Sequence, residues 1–373
     1  MANFKTRIGL VCAFMAVPSL LYAGNPSLAY PESDQALTLK VIAFGSCAKE
    51  REPQPVWDAI NAHDPDLFLF IGDNNYADVW YQNGRRVMAP VADRARFEEA
   101  YTMMYDHAGY ARLRARTPLM ATWDDHDYGA NDQGKEYALK QVAQEEFWQA
   151  FGLEPGNPLW ERDGVYHART FGPEGRRVQV IMLDTRYFRD PLERAAESVN
   201  GPYQPTADTT TTVLGEKQWR WLESELRKPA DVRIIASSIQ VIAYEHAWET
   251  WGNFPHERQR LFDLIGETGA EGVVFISGDR HLAEVSREMG GDRTHVPYPM
   301  WDFTSSGMTD GVQSVDEPNR FRVGPVYRGT NYGLLRINWD DQPATIAFEN
   351  RDEDGDLINQ QAVVLSTLQS GGN

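Results

Sequence analysis

Four groups of residues in this sequence able to do chemistry share one setting. Cys47 follows Phe44-Gly45-Ser46, and Asp73 and Tyr76 follow the apolar run 67–71 and Gly72. Asp125 and His126 follow the run 118–122, and Asp279 and His281 follow the run 273–277 and Gly278. A short apolar run reads as a buried parallel strand, and open α/β sheets place ligands at the carboxyl ends of such strands. Any one group reads equally well as an Asp or Asn turn after a strand. Together they bring thiol, phenol, carboxylates and imidazole to one sheet edge, a set suited to cations. Hard oxygen ligands favour Fe(III), Ca, Mg or Mn, whereas imidazole and thiolate favour later transition metals. A Tyr and a Cys on one ion suit a ferric centre, and a carboxylate such as Asp73 can bridge two ions about 3.5–4 Å apart. Such a site also lowers the pKa of bound water, so hydroxide is available near neutral pH.

The elements that must position these groups alternate strand and helix. A strand over 39–44, a helix over 54–62 and the strand 67–71 form a βαβ unit. Residues 74–90 read as a loop carrying Trp80 and Tyr81, and helical spacing follows over 94–106, 135–150, 214–226 and 256–265. Residues 164–171 and 177–183 predict a hairpin. The stretch 190–212, rich in Pro, Gly, Asn and Thr, predicts an irregular insertion at the rim of a site. Strands then follow over 233–237, 273–277, 299–304, 332–338, 344–349 and 358–365. The pattern predicts an α/β fold: a single compact catalytic domain over 30–373, a β-sandwich of mixed sheets flanked by helices. Asp352-Glu353-Asp354-Gly355-Asp356 looks like half a calcium loop but lacks the distal Glu, so it reads as a hairpin turn. His63, His107, His167, His246, His256 and His295 lack neighbours that would make them ligands and read as surface or core residues.

Composition narrows the class further. The 373 residues carry a formal net charge of -18, which argues against a nucleic-acid-binding surface and against attraction to anionic membranes. An anionic substrate then needs a locally positive site, which metal ions supply. Lys5 and Arg7 precede an apolar run over 8–22, and Leu21-Tyr22-Ala23 and Ser27-Leu28-Ala29 are small-residue cleavage patterns. Residues 1–29 therefore predict a signal peptide without an Arg pair, for export by the general secretory route to the periplasm or beyond. The run is too short for a stable membrane span. Cys12 leaves with that peptide, so Cys47 is the thiol of the mature chain. It is either a small buried apolar residue or a thiolate held by metal.

Gly72-Asp73-Asn74-Asn75-Tyr76, Trp123-Asp124-Asp125-His126-Asp127 and Gly278-Asp279-Arg280-His281 resemble the motifs of the PhoD-type alkaline phosphatases, within the calcineurin-like metallophosphoesterases. Phe44-Gly45-Ser46-Cys47 and Leu183-Asp184-Thr185-Arg186 match as well, and the resemblance runs from about Val41 to the C-terminus. It implies a metallophosphoesterase fold and a metal centre of Fe3+ and Ca2+, for which Mn, Zn or Mg are possible substitutes. It implies hydrolysis of small phosphomonoesters or phosphodiesters by a metal-bound hydroxide. A monomer is the expected state of the chain. Carried over by position, Cys47, Asp73, Tyr76 and His281 hold the ferric ion, while Asp73, Asp125, Asn131 and Asp279 reach the calcium part. Gln240 stands where many relatives carry a metal-binding His. His126 is the expected catalytic residue, for proton donation or charge stabilisation. Arg186 and Arg280 are the expected phosphate contacts, since guanidinium matches phosphate oxygens bidentately; ordinary salt bridges are the alternative. Two rivals remain open. A glycoside hydrolase would use paired carboxylates and Trp side chains, but gives Cys47, Tyr76 and His281 no role. A periplasmic protein that sequesters metal or phosphate needs no His126.

Overall fold

The computed structural model describes residues 33–371 apart from 198–200, 313 and 316. The signal-peptide expectation for 1–29 lies outside the described residues. The strands are β1 (Ser33–Asp34), β2 (Val41–Gly45), β3 (Leu67–Ile71), β4 (Val79–Gln82), β5 (Arg85–Met88), β6 (Leu119–Thr122), β7 (His167–Phe171) and β8 (Val178–Met182). There follow β9 (Val232–Ser237), β10 (Val273–Ser277), β11 (Ala283–Glu288), β12 (Met300–Ser305), β13 (Asn331–Asn338), β14 (Thr345–Asp352) and β15 (Leu357–Val364). The helices are α1 (Val56–Ala62), α2 (Arg94–Asp106), α3 (Ala108–Arg114), α4 (Asp125–Tyr128), α5 (Lys140–Ala150), α6 (Gly215–Leu226) and α7 (Pro255–Thr268).

Alternation along β3 shows how the layers form. Leu67, Leu69 and Ile71 pack into the core shared with the other sheet. Phe68 and Phe70 point the opposite way, into a second core with Trp57 of α1, Tyr101 of α2 and Phe147 of α5. A strand apolar on both faces is covered on both, and all five of its residues are buried. One sheet has the order β15-β14-β13-β2-β3-β6 and the other β1-β7-β8-β9-β10-β12-β11. Both are mixed: β2, β3 and β6 run parallel, as do β8, β9, β10 and β12, with antiparallel partners outside them. The carboxyl ends of β2, β3, β6 and β10 carry the candidate ligands, so sheet topology gathers groups that lie far apart in sequence. The expected sandwich of mixed sheets with flanking helices is what the chain forms. Several elements differ from expectation. β4 and β5 make a hairpin inside the predicted loop, α3 follows α2 after His107, and β11 is an antiparallel edge strand. The hairpin strands have few buried residues, so no apolar alternation marks them. Among the described residues no helix is long and apolar enough to cross a membrane.

Candidate metal centre

The turn after β3 is unusually constrained. Gly72 has φ 111°, and a Cβ there would lie 2.6 Å from the Cβ of Asp124, so only glycine fits. Asp73 follows with φ 50°, and Cys47, Asp279 and His281 also lie in the left-handed region, with φ 60°, 67° and 52°. Each costs on the order of 1–2 kcal/mol for a residue with a Cβ. Strain repeated at the ends of β2, β3 and β10 aims these side chains inward instead of along the strands.

They converge. The Cys47 thiol lies 3.4 Å from the Asp73 carboxylate and 3.0 Å from Ser306 Oγ. Tyr76 donates its hydroxyl to Asp73 at 3.2 Å and lies 3.2 Å from Nε2 of His281. Cys47, Asp73 and His281 offer donor atoms within 4.8 Å of one another, and Asp73, Asp125 and His126 do the same. Asp73 belongs to both groups. Burial pushes the Cys47 thiol up to about 12. Burial, reinforced by the neighbouring acids, also raises Asp73, Tyr76 and Asp279 above their usual ranges. Acids stacked this way without a counter-charge are unfavourable, and a cation among them reverses the sign. Asp125 Oδ1 is buried without a hydrogen-bond partner. The donor set and the orphaned oxygen both fit metal ions.

His126 stands on the first turn of α4. Its ring stacks on Tyr76 at 4.1 Å, and its backbone amide donates to Asp73 at 3.3 Å. Its Nδ1 lies 2.7 Å from the carboxylate of Asp78, which is fully buried and also accepts from the Asn131 amide at 3.0 Å. Burial opposes the imidazolium, but Asp125, Asp73 and Asp78 outweigh it and hold its pKa near 10 without metal. The rest of the motif holds the turn in place. Asp127 accepts from the Asn74 side chain at 2.6 Å and from the Asp124 amide at 2.7 Å.

As to the phosphate expectation, Arg280 is mostly buried, pairs with Glu317 and lies 5.0 Å over the ring of exposed Trp248. Arg186 does not meet that expectation. Its guanidinium is fully buried between Asp124, at 2.6 Å from Nε, and Glu249, at 2.7 and 2.8 Å from Nη1. The Leu183-Asp184-Thr185-Arg186 motif is a brace: Asp184 caps the amides of Arg186 and Tyr187 and accepts from Trp123 Nε1 at 2.8 Å. Arg186→Ala leaves two buried carboxylates without their main partner and should cost about 3–5 kcal/mol of stability, read from urea denaturation; a loss under about 1 kcal/mol would contradict that role. Gln240 also departs from expectation. Its amide donates to Glu284 at 2.8 Å and Thr304 at 2.9 Å and accepts from His246 at 3.0 Å, so its polar atoms are already engaged by β11, β12 and His246. Asn131 is half-buried in the loop after α4, beside Asp132.

Against this geometry, a model of the PhoD-like phosphatase family matches residues 42–325. The chain belongs to that family. Alkaline phosphatase D of Bacillus subtilis (strain 168) is 21% identical over 308 residues, covering 74% of this chain and 52% of that protein. The chain thus spans about half the length of the curated relative it matches. A solved structure of PhoD superposes with a TM-score of 0.65 at 19% identity, over 92% of this chain and 74% of that one. Purple acid phosphatase PPD1 from yellow lupin (Lupinus luteus) seeds gives 0.56 at 12% identity, over 90% of this chain and 55% of that one. At such identities the likeness establishes a shared metallophosphoesterase fold.

Within this PhoD-like chain, sequence reasoning missed several residues that support the centre. Asp78 orients His126 from a loop with no strand-end signal. Asp310 accepts from His281 Nδ1 at 3.0 Å and pairs with Lys49. It follows β12 through Ser306 and Gly307, the same strand-then-small-residue design as the other groups. Asp132 and Glu249 approach Asp125 within 4.8 Å, but Glu249 is already paired with Arg186 and Arg189.

Proposed function

We propose that this chain is an exported metal-dependent phosphoesterase. The observation that carries the reading is the meeting of Cys47, Asp73, Tyr76 and His281 beside a histidine whose Nδ1 is held by a buried carboxylate. In this reading Cys47, Asp73, Tyr76 and His281 hold a ferric ion, and Asp73, Asp125, Asn131 and Asp279 hold calcium. When bound, such ions lower the pKa of water and neutralise charge on phosphoryl oxygens. The protein supplies the rest. Asp78 occupies Nδ1 of His126 and leaves Nε2 as the nitrogen that meets substrate. From there the imidazolium passes its proton to the departing alcohol oxygen. Arg280, held by Glu317 and Trp248, contacts phosphoryl oxygens. Asp310 fixes the tautomer of His281, so that Nε2 faces the ligand cluster.

A ferric phenolate absorbs visible light, so the purified protein should be coloured, and Tyr76→Phe should bleach that band. Elemental analysis and a panel of phosphomonoesters and diesters complete the test; an iron-free, colourless and fully active wild type sinks the ferric assignment. Turnover that survives stripping of all metal would instead favour the glycosidase-type or other metal-free chemistries. No turnover from metal-loaded protein would favour a sequestering role.

Metal removal should also show in stability against pH. Without metal, His126 has a folded pKa near 10 and Cys47 one near 12, both above their unfolded values. Protons are therefore held more tightly in the folded state, and stability falls as pH rises from about 6.5 toward 10. Loading metal requires deprotonated ligands and releases protons, so the gain in Tm on loading should widen with pH. A gain independent of pH from 6.5 to 9.5 would contradict the ligand set.

A further inference from the structure

Beside the metal centre lies a cavity of about 140 Å³ that the chemistry above does not use. Tyr76 and Val79 line it from the centre's side, Lys49 and Glu52 from the segment after β2, and Tyr81 and Arg86 from the β4–β5 hairpin. Tyr76 and Lys49 tie it to the reacting end: Tyr76 touches Asp73 and His281, and Lys49 pairs with Asp310 and sits 5.5 Å over the Tyr76 ring. A cavity near 150 Å³ holds one benzene-sized ring, so the space suits a single flat group.

The hairpin wall is built for contact. Asn83 and Gly84 form a two-residue turn with φ 51° and 75°, the left-handed pair that matches strand twist in tight hairpins. It carries Tyr81 at the cavity with 56% of its surface exposed. Arg86 lines the same wall and donates to the sulfur of Met88; among the described residues no carboxylate pairs with it. The other cations lining the space are engaged, Lys49 by Asp310 and Arg51 by Glu50 and Glu99. Glu50 and Glu52 also line the space; Glu50 is engaged by Arg51 and by the Tyr76 amide and Glu52 is exposed, so anionic recognition falls to the hairpin side. An exposed phenol ring next to an unpaired guanidinium recognises a ring bearing one negative charge, by stacking and by a charge-assisted fork.

Resting on the phosphoesterase reading, we propose that this cavity is the leaving-group subsite, and that the preferred substrates are phosphate esters whose leaving alcohol carries an aromatic ring with an anionic substituent. A water oxygen bonds to phosphorus as the phosphorus–oxygen bond to that alcohol breaks, and the alcohol departs from the cavity with the proton supplied at His126.

The test compares esters of one phosphoryl group with three leaving alcohols: a carboxylated phenol, a neutral phenol of matched pKa, and a small aliphatic alcohol. The metal-loaded full chain should favour the carboxylated over the neutral phenol in kcat/KM by on the order of tenfold, the lower end for a hydrogen bond to a charged group. Arg86→Ala should bring that ratio to about one. Tyr81→Ala should lower both phenyl esters relative to the aliphatic one, and Arg85→Ala, on the same hairpin but outside the lining, should leave the ratios alone. The free carboxylated phenol should inhibit the wild type more strongly than Arg86→Ala. Equal kcat/KM for matched phenols, or ratios unmoved by Arg86→Ala, overturn the subsite while the phosphoesterase reading stands. Absence of turnover with all three esters overturns both.

Discussion

Asp73→Asn is expected to lower kcat/KM by at least about a thousandfold, roughly 4 kcal/mol of transition-state stabilisation, with loss of bound metal. The reason is geometric. One carboxylate oxygen of Asp73 lies 3.4 Å from the Cys47 thiol and 3.2 Å from the Tyr76 hydroxyl, while the other accepts the His126 amide at 3.3 Å. It is the group common to both sets of converging donors, so its charge serves both halves of the site. Asn is the informative substitution because it keeps the shape and tolerates the left-handed backbone that Asp73 adopts at φ 50°. An Ala variant would confound lost charge with backbone strain. Unchanged circular dichroism together with missing iron and calcium by elemental analysis would assign the loss to ligation. An Asn variant that keeps full metal content and activity would remove Asp73 from the centre.

Much of this was legible before any coordinates, for identifiable reasons. Strands buried on both faces announce themselves as unbroken apolar runs, as LFLFI does, and their carboxyl ends fall where the sheet order requires. The residues at those ends, Cys47, Asp73, Tyr76, Asp125, His126, Asp279 and His281, could therefore be named as candidates from type and position. Groups that act through others carried no such mark. Asp78 looks like any loop aspartate until His126 arrives beside it from 48 positions away. Arg186 illustrates the converse. A guanidinium next to a family motif suggests phosphate binding, yet whether it faces solvent or two buried acids depends on Glu249, 63 residues later. Gln240 was misplaced for the same reason, since its partners Glu284 and Thr304 lie on strands that pair only in the folded sheet. The β4–β5 hairpin escaped because strand periodicity reports burial, and its outer residues are exposed. Contacts distant in sequence and faces that stay wet are the two things periodicity does not encode.

His126→Asn should lower kcat by about 10²–10⁴-fold, and the size of the loss should depend on the alcohol that leaves. The residue is positioned at three points: Asp78 at ring Nδ1, the Tyr76 ring against its face at 4.1 Å, and the Asp73 carboxylate accepting from its backbone amide. Asn cannot carry the positive charge that these carboxylates favour, yet it preserves the backbone of the turn, so metal content should be retained. If His126 donates a proton, an alkoxide-type leaving group that needs protonation should suffer the full loss. A nitrophenolate, stable as an anion, should suffer far less. Asp78→Asn should give a smaller decrease of the same pattern, because it frees the tautomer without removing the imidazole. A loss equal for both leaving groups would assign His126 to stabilising charge on the phosphoryl oxygens, since that interaction does not depend on how readily the alcohol leaves. A metal-replete His126→Asn with wild-type kcat on both would instead leave the site as a binder of ions, and the turnover would have to be explained without this histidine.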